Sequence, residues 1–202
     1  FFDYKDLLAP SLTKTTVEEK NWVASVYRDF PPLTIGRFYV YGSHIQAPPP
    51  ENLIPLHIEA ATAFGSGQHE STEGCLKALS LLAEDKNFTC PLDMGCGSGI
   101  LAIAMAALWK VPVLACDNDP EAVKVTQENA KKNEVTPWLQ AEVSEGFASL
   151  KGQTFDIITA NILAGPLCQM VDDVNRALMP GGFVVLSGLL TRQAEEVIST
   201  YE

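Results

Sequence analysis

Cysteine and histidine are too few and too scattered in this 202-residue sequence to suggest a disulfide framework or a zinc site. The five cysteines form no CxxC pair, and the three histidines lie far apart. Scattered cysteines in apolar stretches are typical of small buried side chains in a reducing compartment. We therefore expect no disulfide bond and no bound metal.

Long apolar runs are also absent. The longest covers residues 100–109, whereas a membrane-spanning helix needs about 20 apolar residues. No basic segment followed by an apolar stretch opens the chain, as a secretion signal would. We expect a cytoplasmic protein with no membrane partner. Because the sequence begins at Phe1 rather than Met, we also expect it to be a trimmed fragment.

Positively charged residues are fewer than negatively charged ones. There are 14 Lys and Arg against 25 Asp and Glu, which gives a net charge of −11, and no basic cluster occurs. Proteins that bind a phosphate backbone usually present a basic face, so a direct nucleic-acid partner is not expected. An acidic protein attracts a basic one instead. Hydrophobic residues make up 47 % and charged residues 19 %, which favours one well-packed globular domain.

Strand and helix patterns alternate from residue 53 onward. Strands are predicted at 91–96, 111–117, 138–142, 155–162 and 183–188. Helices are predicted at 69–83, 100–109, 120–133 and 166–178, followed by a last helix capped by Thr191. This alternation predicts an α/β fold with a mostly parallel sheet and helices on both faces, with later strands missing after Glu202. Ligands of such folds lie at the carboxyl ends of the strands.

The first fifty residues have a different pattern. A helix is predicted at 21–30 and a strand at 37–41, followed by a proline-rich loop at 47–51. Residues 21–52 therefore read as a linker or pre-domain segment, and residues 53–202 as the main domain.

A glycine-rich turn follows the predicted strand at 91–96. Its sequence, LDMGCGSG at 92–99, allows a sharp turn and a close approach of a ligand to the backbone amides. The spacing GxGxG, preceded by Asp93, differs from the dinucleotide pattern GxGxxG and resembles motif I of class I methyltransferases. Asp117, at the end of the next strand, can accept hydrogen bonds from a ribose diol. Dehydrogenases place an acid there too, so Asp117 alone leaves a nicotinamide cofactor open.

Downstream segments favour the methyltransferase interpretation. They are NILA at 161–164 and LMPGG at 178–182, both familiar in methyltransferases. Together with AFGSGQHEST at 63–72, DNDPEA at 117–122, NILAGP at 161–166 and LSG at 186–188, the chain closely resembles the ribosomal protein L-eleven methyltransferase family (PrmA) from about residue 21 to 202. Ser66 and Ser71 stand where that family usually has Thr, which keeps a hydroxyl at both positions.

The resemblance implies a Rossmann-like fold and S-adenosylmethionine as cofactor. It assigns cofactor contacts to the following residues: Thr72, Gly95, Gly97, Asp117, Asn118 and Asn161. Within that set, Gly95 and Gly97 would line the methionine moiety, Asp117 the ribose, and Thr72 the methionine end. Asn161 would also orient the accepting amine. A capping role for Thr72 and an Asx turn at Asn161 are the structural alternatives.

Three further residues have weaker assignments. Glu142 is a candidate contact of the adenine amine, and Phe64 is a candidate lid over the cofactor. His69 could serve as a base, although a structural role is favoured.

By the same resemblance, the substrate is an amino group of a basic ribosomal protein, with L-eleven as the first candidate. Family members carry an N-terminal docking domain, and residues 1–20 would be either its remnant or a disordered lead. The alternative is N-methylation of another protein or of nucleic-acid adenine. Leu163 and Ala164 speak against adenine, because they remove the aromatic residue that would stack a flipped base. We expect the protein to act as a monomer.

Overall fold

The computed structural model describes residues 31–58 and 69–202 of the chain. The strands are β1 (Leu33–Ile35), β2 (Phe38–Tyr41), β3 (Ile54–His57), β4 (Pro91–Met94), β5 (Val113–Asp117), β6 (Leu139–Val143), β7 (Phe155–Asn161) and β8 (Leu178–Ser187). The helices are α1 (His69–Asp85), α2 (Ile100–Trp109), α3 (Pro120–Lys132), α4 (Ala164–Gln169), α5 (Val171–Ala177) and α6 (Ala194–Tyr201), with 3₁₀ turns at Thr136–Trp138 and Thr191–Gln193.

The larger sheet has five parallel strands in the order β6-β5-β4-β7-β8. Strand β4 lies in the middle of this sheet. From β4 the chain adds β5 and β6 on one side and then places β7 and β8 on the other side, so the strand order reverses next to β4. Ligands of open α/β sheets bind at such a switch point, at the carboxyl ends of the strands. The glycine turn of residues 95–99 follows β4 and therefore lies at this position.

Alternate residues of these strands point to two separate hydrophobic clusters, as the pleat of a buried sheet requires. On one face, Ala115 and Ile157 pack with the side chains of α1 and α2. On the other face, Leu92 and Ile158 pack with α4, α5 and α6. The structure thus confirms the predicted α/β fold with a parallel sheet between two layers of helices.

A smaller sheet precedes the large one. β1 and β2 form an antiparallel pair, and β3 joins β2 in parallel, with the order β1-β2-β3. Its buried side chains Phe38 and Leu56 belong to the same cluster as Leu76 and Leu79 of α1. Strand β2 lies within the segment predicted as a linker, and β3 lies within the predicted main domain. The small sheet therefore connects these two segments through one core.

Two sequence-based predictions about helices are wrong. The predicted helix at 166–178 is two helices, α4 and α5, which are separated at Met170 (φ −91°, ψ 0°), and Leu178 already belongs to β8. Thr191 does not cap the last helix, because it lies in a 3₁₀ turn and α6 begins at Ala194 with Gln193 as its N-cap. The Gln193 side chain instead accepts a hydrogen bond from the Leu190 amide at 2.9 Å.

Strand β8 is longer than predicted and carries a bulge. Phe155 pairs with Leu178, and Ile157 pairs with Phe183, so β8 advances five residues while β7 advances two. The Pro-Gly-Gly sequence at 180–182 lies in this bulge, where a proline without an amide proton and two flexible glycines are tolerated.

No helix within the described ranges is both long and apolar enough to cross a membrane. The predicted helix at 21–30 lies outside the described residues.

Candidate functional site

The turn after β4 is built on three glycines in the left-handed region of backbone space. The φ angles are +71° at Gly95, +53° at Gly97 and +78° at Gly99, values that L side chains rarely adopt. The space around them differs. A Cβ atom at Gly95 would lie 2.3 Å from Cγ2 of Ile162, whereas a Cβ atom at Gly97 would meet nothing within 4 Å. The turn is therefore closely packed at Gly95 and open at Gly97, as a ligand cradle requires.

Hydrogen bonds attach this turn to the end of β5. The amides of Gly95 and Cys96 both donate to the Cys116 carbonyl, at 2.8 and 3.0 Å. The Gly97 amide donates to Oδ2 of Asp117 at 2.9 Å, and Oδ1 of Asp117 accepts from the Asp119 amide at 3.0 Å. Each carboxylate oxygen has two lone pairs, so the half-buried Asp117 retains acceptor capacity for a ligand hydroxyl. Two predicted cofactor residues, Gly97 and Asp117, are thus in direct contact, and Asn118 follows them as an exposed residue.

The acidic residue of the turn, Asp93, has a different role. It is 1 % exposed and lies under the turn. Its Oδ2 accepts the Ala102 amide in the first turn of α2 at 3.0 Å, and its Oδ1 accepts the Thr159 hydroxyl of β7 at 2.7 Å. Gly99, the N-cap residue of α2, has no side chain, so Asp93 supplies this cap from the neighbouring strand. Burial raises the pKa of Asp93 to about 6. The sequence identified Asp93 only as part of the glycine motif. It did not predict that the Asp93 carboxylate would cap helix α2.

The other predicted residues meet at the end of β7. The Asn161 side-chain amide donates to the hydroxyl of Thr72 at 3.1 Å, which joins β7 to the first turns of α1. Thr72 is 5 % exposed. The next residue, Ile162, packs over Gly95 and donates its backbone amide to the Ser187 carbonyl at 3.1 Å. The Asn161–Thr72 pair and the glycine turn therefore belong to one edge of the sheet and meet at Ile162.

Gly188 is required by the same packing. Its φ is +83°, and a Cβ atom there would lie 2.4 Å from the Ile162 carbonyl oxygen. The LSG sequence at 186–188 thus brings the end of β8 against the backbone that follows Asn161. The glycine supports the site by permitting this close approach.

Glu142 is not brought to the glycine turn. It pairs with Cys116, one register position before Asp117, so its side chain lies on the opposite face of the sheet from that of Asp117. Its Oε1 accepts a hydrogen bond from Ser149 at 2.8 Å. It lines a cavity of about 430 Å³ together with Trp138 and residues at the amino ends of the strands. The suggested adenine contact of Glu142 therefore gains no support.

The cysteines near the site are buried. Burial raises the pKa of Cys75 to about 11, and the pKa values of Cys96 and Cys116 to about 12. A thiol with such a pKa is protonated at neutral pH and is a poor nucleophile. Covalent catalysis by cysteine at this edge is thus disfavoured.

The predicted lid residue Phe64 and the rest of the segment 59–68 lie outside the described residues, as does the side chain of His69. Sequence reasoning also missed polar side chains of α3. Thr126 and Asn129 donate to the carbonyls of Gly97 and Ser98, at 3.1 and 2.9 Å. Their positions on the same helix face as the apolar Val123 and Ala130 were the sequence signal that could have identified them.

Comparison with solved structures agrees with this fold. A crystal structure of ribosomal protein L11 methylase from Lactobacillus delbrueckii subsp. bulgaricus superposes with a TM-score of 0.70 and 24 % identity, over 85 % of this chain and 86 % of that one. A precorrin-6y C5,15-methyltransferase from Geobacter metallireducens superposes with a TM-score of 0.54 and 19 % identity, over 61 % and 66 %. Both share the α/β architecture described above.

Sequence relatives are more similar. A ribosomal protein L11 methyltransferase of Chelativorans sp. (strain BNC1) is 42 % identical over 186 residues, which cover 91 % of this chain and 64 % of the relative. One of Rhodopseudomonas palustris (strain BisB5) is 41 % identical over 199 residues, which cover 97 % and 68 %. The chain thus spans about two thirds of the length of these curated relatives.

The model of the family described as ribosomal protein L11 methyltransferase (PrmA) matches residues 3–202. The match covers nearly the whole chain, and it agrees with the relatives and with the geometry of the glycine turn. The chain belongs to the ribosomal protein L11 methyltransferase (PrmA) family.

Proposed function

We propose that this chain binds S-adenosylmethionine at the glycine turn and transfers methyl groups to amino groups of ribosomal protein L11. The observation that carries the proposal is the meeting of two groups at one sheet edge. One is the open turn at Gly97 with the Asp117 carboxylate at its side, and the other is the Asn161–Thr72 pair. Ile162, which follows Asn161 in the chain, packs against Gly95 of the turn. Family membership and the relatives' names supply the substrate.

The residues present fit this cofactor. The open space beside Gly97 accommodates a ligand close to the backbone, and Asp117 offers acceptors for a ribose diol. On this proposal Gly95 and Gly97 border the methionine moiety, Asp117 and Asn118 border the ribose, and Thr72 lies at the methionine end.

S-adenosylmethionine supplies a sulfonium-bound methyl group, which a neutral amine accepts by in-line displacement. A lysine side chain has a pKa near 10.4 in water, so deprotonation at pH 7 costs about 4.6 kcal/mol. Transfer from water to an apolar site lowers this cost, because the ammonium form is disfavoured there. The site needs no strong base for this step, and its main task is to align the amine with the methyl group.

Asn161 is suited to that alignment. With its amide nitrogen donating to Thr72, its Oδ1 oxygen can accept a hydrogen bond from an N–H of the amine. Thr72 then acts as a positioning residue for Asn161. This arrangement orients a neutral amine and holds no charge of its own.

The proposal extends to the organisation and partners of the protein. On this proposal residues 1–20 serve substrate docking, residues 21–52 join them to the catalytic domain, and residues 53–202 carry the transfer site. The enzyme acts as a cytoplasmic monomer on a basic protein without a nucleic-acid partner. The net charge of −11 supports a basic protein as the partner.

Two measurements test the function. Calorimetry should detect binding of S-adenosylmethionine and S-adenosylhomocysteine but not of NADH, and equal affinity for NADH would refute the cofactor assignment. Labelled methyl transfer into purified ribosomal proteins, followed by mass mapping, should place methyl groups on L11. Labelling of RNA or of a different protein would refute the substrate assignment. A longer version of the protein, tested in parallel, measures the contribution of a docking domain.

A further inference from the structure

Helix α3 carries a stripe of polar side chains on its inward side. Thr126, Asn129 and Asn133 follow each other at spacings of three and four residues, which places them on one face of the helix region. Thr126 is fully buried and Asn129 is 3 % exposed. Buried polar groups destabilise a protein unless they are hydrogen-bonded, so the partners of this stripe indicate its role.

Thr126 touches the glycine turn at three points. Its hydroxyl donates to the Gly97 carbonyl at 3.1 Å, and the hydroxyl oxygen lies 3.3 Å from the sulfur of Cys96. A Cβ atom at Gly99 would lie 2.7 Å from the Thr126 methyl carbon. Since burial keeps the Cys96 thiol protonated, the thiol can donate to Thr126 while the Thr126 hydroxyl donates to Gly97. The Thr126 side chain therefore packs directly against the backbone of the glycine turn.

Asn129 holds the next peptide. Its amide nitrogen donates to the Ser98 carbonyl at 2.9 Å. In a planar trans peptide the N–H and C=O groups point in opposite directions. When Thr126 holds the Gly97 carbonyl towards α3, the amide of Ser98 in the same peptide points away from α3. The stripe thus sets the orientation of the peptides on the open side of the turn.

Asn133 attaches the stripe to the small sheet. Its amide nitrogen donates to the His57 carbonyl at 2.8 Å, and its Oδ1 accepts the His57 amide at 2.7 Å. The same nitrogen lies 2.8 Å from the Asn129 carbonyl. His57 is the last residue of β3 and precedes the segment 59–68, which carries most of the AFGSGQH sequence. One helix face therefore links the turn to the strand that leads into this segment.

We infer that Thr126 and Asn129 are positioning residues for the cofactor, which hold the peptides of Gly97 and Ser98 in the orientation that binds it. This inference rests on the proposed function for the identity of the ligand. Neither side chain is assigned to touch the ligand, so both act through the backbone of the turn.

The test compares Thr126→Val with Thr126→Ser. Valine keeps the volume and removes the hydroxyl, whereas serine keeps the hydroxyl. Calorimetry with S-adenosylhomocysteine should show about tenfold weaker binding for Thr126→Val, equivalent to about 1.4 kcal/mol. Thr126→Ser should bind within about twofold of the original protein. In turnover assays the KM for S-adenosylmethionine should rise while kcat changes little, because Asn161 is untouched.

Ser80→Ala is the matched control for a lost buried hydroxyl. Ser80 is 6 % exposed, donates to the Leu76 carbonyl and accepts the Arg37 amide, all away from the glycine turn. It should lower the free energy of unfolding without changing cofactor affinity. If Thr126→Val loses stability like Ser80→Ala and still binds with the original affinity, the positioning role is refuted.

Amide hydrogen exchange without ligand separates this inference from the proposed function. Thr126→Val, and independently Asn129→Leu, should speed exchange at residues 97–99 more than in the middle of α3. Unchanged exchange in the turn would overturn the inference. Absence of cofactor binding by the original protein would refute the proposed function instead, and the exchange measurement would still decide the role of Thr126.

Discussion

The buried carboxyl group of Asp93 makes the stability of this protein depend on pH. Asp93 is 1 % exposed, and burial raises its pKa from 3.8 to about 6, against the opposing effect of its hydrogen bonds with Thr159 and Ala102. The folded state therefore holds this proton more tightly than the unfolded chain does. The contribution of Asp93 to stability is fully present below pH 3.8 and is lost as pH rises through 6.

The substitution Asp93→Asn removes this titration and preserves the shape of the side chain. Its oxygen can still accept the Ala102 amide, and its new NH₂ group can donate to Thr159, whose hydroxyl lies 3.3 Å from the Leu92 carbonyl. A shift of about two pKa units corresponds to about 3 kcal/mol. We expect the free energy of unfolding of Asp93→Asn, relative to the original protein, to rise by about 2.5 kcal/mol between pH 4 and pH 7, because the unfolded chain has already begun to lose this proton at pH 4.

Urea unfolding of both proteins at half-unit pH intervals measures this difference. Other titrating groups are common to both proteins and cancel in the comparison. Asp172→Asn, at an exposed position of α5, is the control and should show no comparable trend. Stability curves of Asp93→Asn and the original protein that run parallel from pH 4 to 7 would refute the raised pKa.

Four further substitutions test the site. Gly97→Ala should cost about 1–2 kcal/mol of stability, because its φ is +53° but its surroundings are open, and it should weaken cofactor binding measured by calorimetry; unchanged affinity would contradict the cradle. Gly188→Ala should cost more than about 3 kcal/mol in urea unfolding, since its Cβ would meet the Ile162 backbone; a smaller loss than at Gly97 would contradict the packing. Asp117→Ala should weaken cofactor binding by roughly 1.5–3 kcal/mol in calorimetry, and an unchanged affinity would exclude a ribose contact. Asn161→Ala should slow labelled methyl transfer while circular dichroism stays unchanged, and normal turnover would exclude its role.

Local patterns allowed the sequence to predict the centre of the fold. Helix α2 has the predicted bounds because Gly99 precedes an unbroken apolar run, and the glycine turn is recognisable from its GxGxG spacing between a predicted strand and a predicted helix. The contact between Gly97 and Asp117 follows from the same logic, since neighbouring parallel strands end at one edge.

Contacts between distant parts of the chain were not predictable in this way. Strands β1 and β3 have only three and four residues, and β3 is stabilised by pairing with β2 and by the side chain of Asn133, 76 residues away from His57. The early start of β8 likewise depends on a distant contact, the pairing of Leu178 with Phe155 of β7. Asn161 and Thr72 were both predicted to contact the cofactor. The hydrogen bond between them was not predicted, because it joins residues 89 positions apart in the sequence.

The attachment of Asn133 to His57 has a consequence for the order of folding. Closing a loop of this length costs chain entropy before the two hydrogen bonds form, so contacts between distant residues tend to form late. Helix α3 and its neighbours β5 and β6 are close in sequence and can assemble first. We expect the small sheet to dock onto α3 in a late step, so that the end of β3 is among the last of the described parts of the chain to reach its final position.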